Sequence, residues 1–158
     1  AFSDEEQDAI ATVELRNEGH PFWDVDGGNV TSDKVYLLAL EDFETYFDIP
    51  MTLRENPVMT GEFTDWIDYA QYCYDKFPGL AAEPTQAAID NRIWYMTSSE
   101  GAGYPDYAIG KTDWWVRTPG YVDKTYASAI YCSADVGTAN YDVTDDLVGV
   151  RPVITVEY

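Results

Sequence analysis

The sequence predicts an α+β fold: a single domain in which a small antiparallel sheet is flanked by helices and long loops. Two observations carry this. The late stretch opens with Thr112-Asp113-Trp114-Trp115-Val116-Arg117-Thr118-Pro119-Gly120 and closes with Val148-Gly149-Val150-Arg151-Pro152-Val153-Ile154-Thr155-Val156. Each end joins aromatic and β-branched residues to an Arg and a Pro, as a buried strand running into a rigid turn does. The two are expected to be neighbouring strands of one sheet. Near the start, Ser3-Asp4-Glu5-Glu6 reads as a capping box, with the Ser3 hydroxyl accepting from the Glu6 amide and Glu6 reaching back.

From that cap a helix is predicted over Asp4 to Leu15, its acids suiting the positive helix end and Ala9, Ile10, Val13 and Leu15 packing on the sheet. Gly19-His20-Pro21 ends it, and Asp24 to Asn29 reads as a turn or loop built from Asx side chains and glycines. That turn has the start of a calcium loop but lacks the later Glu. Val35 to Leu40 is apolar throughout and predicts a buried strand, followed by a helix over Glu41 to Phe47 with Phe43 and Phe47 on one face and Pro50 as its stop. Thr64 is expected to cap a helix through Tyr74 that Pro78-Gly79 terminates, its aromatics assigned to packing. Pro84 to Asp90 reads as a short helix starting at Pro84 or Thr85, and Ile93 to Thr97 as extended chain. Ser98 to Pro105 is loop, and its Gly-x-Gly lacks the third glycine and the basic residue of a nucleotide site. Tyr126 to Cys132 alternates as a strand, with Ala127, Ala129 and Tyr131 on one face, and Thr138 to Val143 pairs with it across a turn at Asp135-Val136-Gly137.

A chain of 158 residues suits one domain spanning 1–158 and buries a core without disulfide support. Its 29 acidic against 9 basic residues give a formal charge of −20, which repels nucleic acid and anionic membrane surfaces. The hydrophobic and aromatic content separates it from a disordered acidic tail. Cys73 and Cys132 match neither a metal-ligand nor a CxxC spacing, leaving a disulfide and two free thiols both open. No stretch reads as a transmembrane span. Ala1 without Met fits a processed secreted protein or a cut segment of a longer one.

The chemistry-bearing residues point away from catalysis. His20 is the sole histidine, lodged between Gly19 and Pro21, a poor base for a triad and too little for a zinc site. Counting alone leaves paired carboxylates of the glycosidase kind open. Arg117 and Arg151 each follow an apolar run, so structural roles on loop carbonyls or a buried carboxylate are expected. Trp114 and Trp115 point to opposite faces of a strand, one into the core and the other flooring a surface. Asp135, Asp142, Asp145 and Asp146 read as a solvated acidic loop rather than a calcium site. The segment from Tyr121 to Leu147 mixes Tyr121, Tyr126, Tyr131 and Tyr141 with Asp, Asn, Ser and Thr. That is a paratope's composition, because tyrosine gives a stiff amphipathic contact at low entropy cost.

The Trp-Trp-Val-Arg-Thr-Pro-Gly run and the Gly-Val-Arg-Pro-Val ending resemble a bacterial domain family with a Trp-Trp-Leu-Arg-Ser-Pro-Gly signature, in the formylglycine-generating-enzyme branch of the C-type lectin fold. Thr31 to Glu41 is similar to that family's other signature, where a strand leads into a short helix. The resemblance covers Thr31 to Phe47 and Thr112 to Val156 and is poor between Ile49 and Pro105. It implies a C-type-lectin-like domain, akin to the variable proteins of diversity-generating retroelements, which randomise surface residues between two fixed strands. The enzymes of that branch use two close cysteines near the C-terminus, where this chain has only Cys132, so their activity is not carried over. The Glu-Pro-Asn, Gln-Pro-Asp and Trp-Asn-Asp marks of the sugar-binding lectins are missing as well.

The resulting expectation is a non-catalytic, monomeric ligand-binding domain, extracellular or on a cell surface, a phage tail included. It binds a protein or carbohydrate on another cell or host surface, without cofactor or metal. Its binding residues are Trp115, Tyr121, Asp123, Tyr126, Tyr131, Ser133, Asp135, Asn140, Tyr141, Asp142 and Asp145. The rival classes are an extracellular carboxylate- or metal-dependent enzyme and a structural adhesin module.

Overall fold

The Ser3 capping box forms as its residues dictate: Ser3 Oγ accepts from the Glu6 amide at 3.2 Å and Glu6 Oε2 from the Ser3 amide at 2.8 Å. The helix it starts, α1 (Asp4–Ala9), stops well short of the expected Leu15 and buries no residue. Ile10 turns extended and bridges to Val156, and β1 (Val13–Leu15) pairs antiparallel with β2 (Thr31–Asp33). The β-branched Thr12-Val13 pair, poor in helices and good in strands, goes with the long-range pairing. These observations come from a computed structural model that describes residues 3–21, 23–49, 65–98, 103–120, 123, 125–134 and 136–157.

Between β1 and β2 the Asp24 to Asn29 stretch is a loop, one of the two forms its composition allows. Asp26 Oδ1 accepts from the Gly28 amide at 3.0 Å, and Gly28 takes φ 95°, a left-handed angle that only glycine adopts without cost. The apolar Val35 to Leu40 run is not the buried strand its composition predicts. Val35 is exposed, Tyr36 makes a lone bridge with Val153, and Leu40 already begins α2 (Leu40–Phe47). Thr118 explains the early start, since its hydroxyl accepts from the Leu40 amide at 2.8 Å, satisfying a first-turn donor across the core. The Asp42 carboxylate accepts from the Ala39 amide at 2.7 Å. The far end of α2 closes on Asp48 in the left-handed region, φ 54°, whereas the expected stop, Pro50, lies outside the described residues.

The next helix, α3 (Trp66–Lys76), is capped by Asp65, whose Oδ1 accepts from Ile67 at 2.9 Å and Asp68 at 3.0 Å. Thr64, the expected cap, lies outside the described residues. A single 3-10 turn over Pro78–Leu80 follows, then α4 (Gln86–Asp90) with Thr85 as its N-cap, as the sequence predicts. Ile93 to Thr97 forms no regular strand, yet the Trp94 amide donates to the Leu147 carbonyl and the Met96 amide to that of Lys111. A second 3-10 turn, Asp106–Ala108, leads to the main sheet.

That sheet has the order β5, β4, β3, β6, from β3 (Trp114–Pro119), β4 (Tyr126–Ile130), β5 (Val136–Asp142) and β6 (Gly149–Val150). The neighbours are antiparallel except β3 and β6, which run parallel. The two late stretches are therefore neighbouring strands, and the architecture is α+β with small sheets flanked by helices. The expected turn at Asp135-Val136-Gly137 is displaced: Val136 already pairs with Ile130, and the chain reverses through Cys132 and Ser133, with Ala134 at φ 71°. Gly149 suits the close approach of β6 to β3, because a Cβ there would sit 3.1 Å from the Asp113 carbonyl oxygen and from the tip of Ile93, so one of them would have to give by a few tenths of an ångström.

Alternation along β3 sorts its side chains. Trp114, Val116 and Thr118 are buried, while Trp115, Arg117 and Pro119 are half-buried. Trp114 and Val116 join Leu40, Phe43, Ile49, Tyr69, Cys73, Leu80 and Ile130 in the main core. The Phe43 ring packs on both Phe47 and Trp114, 5.7 and 6.0 Å between centroids. Each arginine takes a structural place. Arg151 lies over the Trp114 ring, 4.8 Å from its centroid, and donates to the Gly79 carbonyl. Arg117 Nη2 meets the Asp42 carboxylate at 3.3 Å, and its Nε and Nη1 are buried without a hydrogen-bond partner among the described residues. Cys73 and Cys132 are not joined in a disulfide and are both buried, the first in the main core and the second beside Met96 and Ala108.

Candidate functional site

The face of the sheet turned away from the main core carries the site. Asp113 and Trp115 share one parity along the β3 run, and Ala129 and Tyr131 share the matching parity along β4 and its continuation. Trp115, Tyr131 and Tyr141 pack around Ala129 and Val148 in a separate small cluster. The Tyr141 ring meets Trp115 edge-on at 6.1 Å and Tyr131 edge-on at 6.3 Å, arrangements that aromatic quadrupoles favour.

Beside this cluster lies a cleft of about 290 Å³ lined by Trp94, Tyr104, Asp113, Tyr141, Asp145, Leu147 and Val148. Asp113, only 4% exposed, and Val148 form its floor, and Trp94 and Leu147, 41% and 45% exposed, form its rim. The rim is held in place through the backbone: Trp94 donates to Leu147 as above, and Thr112 Oγ1 donates to the Trp94 carbonyl at 2.6 Å. The floor carboxylate is pinned on both oxygens. Oδ1 accepts from the Cys132 amide at 2.8 Å and Oδ2 from the Tyr141 hydroxyl at 2.5 Å. Burial pushes the Asp113 carboxyl above its ordinary range, the Tyr141 and Cys132 bonds oppose that shift, and the nearby Asp145 charge adds to it. Burial and the Asp113 charge push the Tyr141 hydroxyl far above the usual phenol value, so it remains a donor.

Of the residues singled out from sequence, Tyr141 and Asp145 line the cleft, and Trp115 and Tyr131 buttress it from behind Tyr141. Tyr126 is half-buried at the start of β4, opposite Asp142. Asp123 and Asp142 are exposed and serve turns. Asp123 Oδ1 accepts from the Thr125 amide and hydroxyl at 2.7 and 2.6 Å, and Asp142 Oδ1 from those of Thr144 at 2.9 and 2.7 Å. Those bonds hold both carboxyls below their ordinary range. Asn140 lies on β5 opposite Ser128. Tyr121 and Asp135 lie outside the described residues. Ser133 is not on a surface: it is 2% exposed, folded into the reversal after β4, and its carbonyl accepts from the Tyr107 hydroxyl at 3.0 Å. Being small and polar, it fits the tight reversal that replaced the expected turn.

Sequence reasoning missed Asp113, Trp94, Tyr104, Leu147 and Val148. Asp113 carried a signal, since a carboxylate set directly against an apolar strand run is rarely buried without partners or purpose. The sole histidine, His20, is buried in the loop before β2, its ring tilted against that of Trp23 with 4.2 Å between centroids. Among the described residues no three His, Cys, Asp or Glu side chains are arranged to hold a metal ion, and no helix is long and apolar enough to cross a membrane.

The architecture and the cleft together define an α+β domain with an aromatic, carboxylate-floored recess beside a four-stranded sheet. The chain belongs to the family described as Domain of unknown function (DUF6273), whose profile matches residues 1–158. No curated protein and no solved structure matches it.

Proposed function

We propose that the chain is a non-catalytic recognition domain that binds a protein or carbohydrate ligand on another cell or host surface through the outer face of β3, β4 and β5 and the loop before β6. The observation that carries this reading is the cleft beside a layer of half-buried aromatics, Trp115, Tyr131 and Tyr141, on the sheet face opposite the core. Half-buried, edge-packed rings are held rigid before a ligand arrives, which lowers the entropy cost of binding. The formal charge of −20 favours neutral or basic ligand surfaces. The resemblance of the Trp-Trp-Val-Arg-Thr-Pro-Gly and Gly-Val-Arg-Pro-Val runs to C-type-lectin-like domains supports the same reading. Under it the chain acts extracellularly or at a cell surface, as a monomer, without metal or cofactor.

The test is to probe the purified chain against arrays of immobilised proteins and glycans, then to repeat each hit with the Tyr131→Ala/Leu147→Ala double variant, which truncates one residue of the outer face and one of the loop before β6. Specific binding that falls about tenfold or more in a variant of near wild-type melting temperature is the expected result. Hits unaffected by the double replacement, or no hit on either array, overturn the proposal.

A further inference from the structure

We infer that the cleft receives an organic ammonium group at the end of an aliphatic stem, the chemistry a lysine side chain presents. This rests on the recognition reading and gives its ligand a chemical class. The first argument is charge. Two carboxylates, Asp113 and Asp145, line the recess, and among the described residues no lysine or arginine does. Asp113 is held by an amide and a phenol, both neutral donors, so its charge is hydrogen-bonded but has no counter-charge among the described lining residues. A neutral ligand closing over it would cut a charged group off from water without compensation, which is costly. An anion would be repelled outright. A cation removes the penalty and gains charge-assisted hydrogen bonds.

The second argument is shape. Typical small-molecule pockets enclose roughly 300–1,000 Å³, and this recess, at about 290 Å³, lies at the small end. It has room for one side chain or head group and not for a sugar chain. The third is the distribution of polarity with depth. The carboxylate of Asp113 is at the floor, the rings of Tyr104, Tyr141 and Trp94 stand around the recess, and the rim exposes Trp94 and Leu147. A ligand with a charged tip and an apolar stem matches that order. Aromatic faces add cation–π attraction for the tip, which ammonium ions obtain and neutral hydroxyls do not.

The experiment titrates Nα-acetyl-lysine N-methylamide into the labelled chain and follows the Trp94 indole N–H by NMR. The matched control is Nα-acetyl-norleucine N-methylamide, which keeps the stem and lacks the charge. Saturable shifts with the lysine compound, and binding weaker by about tenfold or more with the norleucine compound, are expected, as a charge-assisted hydrogen bond implies. Asp145→Asn, chosen because the amide oxygen can still accept from the Leu147 amide that Asp145 Oδ1 holds at 2.9 Å, should weaken the lysine compound by a similar factor without lowering the melting temperature. Equal affinity for both compounds, no saturable shift, or an undiminished response in Asp145→Asn overturns the inference. Calcium chloride saturating the same resonance overturns it in favour of a metal. An array ligand that binds the outer face but is not displaced by the lysine compound removes this inference alone. Failure on both arrays and with both compounds removes the recognition reading too.

Discussion

Replacing Tyr141 with Phe deletes one oxygen and keeps the ring that packs on Trp115 and Tyr131. What is lost is the 2.5 Å bond to Asp113 Oδ2, leaving the Cys132 amide as the carboxylate's remaining backbone donor. A hydrogen bond to a charged group contributes about 1.5–3 kcal/mol. In a domain of this size each kcal/mol moves the melting temperature by about 2–4 °C, so a fall of about 3–12 °C is expected near neutral pH. The loss also depends on pH in a direction the structure fixes. The Asp113 carboxyl is raised above its ordinary 3.8, so the folded state holds that proton to higher pH than the unfolded state does. Its contribution to stability is fully present below 3.8 and is lost as pH rises through the folded value. Tyr141 favours the charged form, so Tyr141→Phe raises the folded value further and enlarges the loss at high pH. Thermal melts of both proteins from below the ordinary carboxyl value of 3.8 up through neutral pH span the whole change and test this. The gap between the two should widen as pH rises. A gap that is constant across that range, or no gap at all, refutes the account of Asp113 as a buried, ionising carboxyl.

Three further outcomes are expected. Thr118→Val preserves shape and removes the acceptor for the Leu40 amide, so it should cost about 1–3 kcal/mol in urea unfolding; an unchanged midpoint would sever the link between β3 and the start of α2. Both cysteines are buried thiols not joined in a disulfide, so a thiol reagent should modify them in urea and leave the native protein untouched over the same minutes; fast native labelling contradicts that burial. Excess chelator should leave the melting temperature unchanged, whereas a clear drop would mean that a bound metal ion is linked to folding.

Local signals and long-range ones were not equally readable in the chain. Ser3, Thr85 and the Phe43/Phe47 pair act within four residues, and each does what its spacing predicts. The alternation of β3 was legible because a strand buried on one face writes its pattern every second residue. The errors fall where a distant partner decides. Ile10 leaves the helix and joins Val156, and Leu40 enters one beside Thr118, neither of which a local window contains. The sequence places the reversal after β4 at Asp135-Val136-Gly137, but the chain turns earlier and accepts a left-handed angle at Ala134. The candidate site was half legible. Tyrosines and acids marked the region, but the cleft's floor and rim come from three separated stretches, Trp94, Asp113 and Leu147-Val148, that only the sheet brings together.

The parallel strand β6 has a consequence for how the protein is made. Residues 149–156 lie beside Trp114-Trp115, place Arg151 over the Trp114 indole, and bridge through Val153 to Tyr36 and through Val156 to Ile10. Translation delivers this clasp after every segment it fastens. Until it clears the ribosome, the Trp114 edge of the sheet is uncovered and the bridges of Ile10 and Tyr36 lack their partners, so the order of synthesis runs against the order of assembly. Nascent chains arrested before residue 149 should be cut readily by protease along their whole length, and chains carrying residue 156 beyond the exit tunnel should resist. Equal resistance in both would mean that the earlier segments lock together unaided.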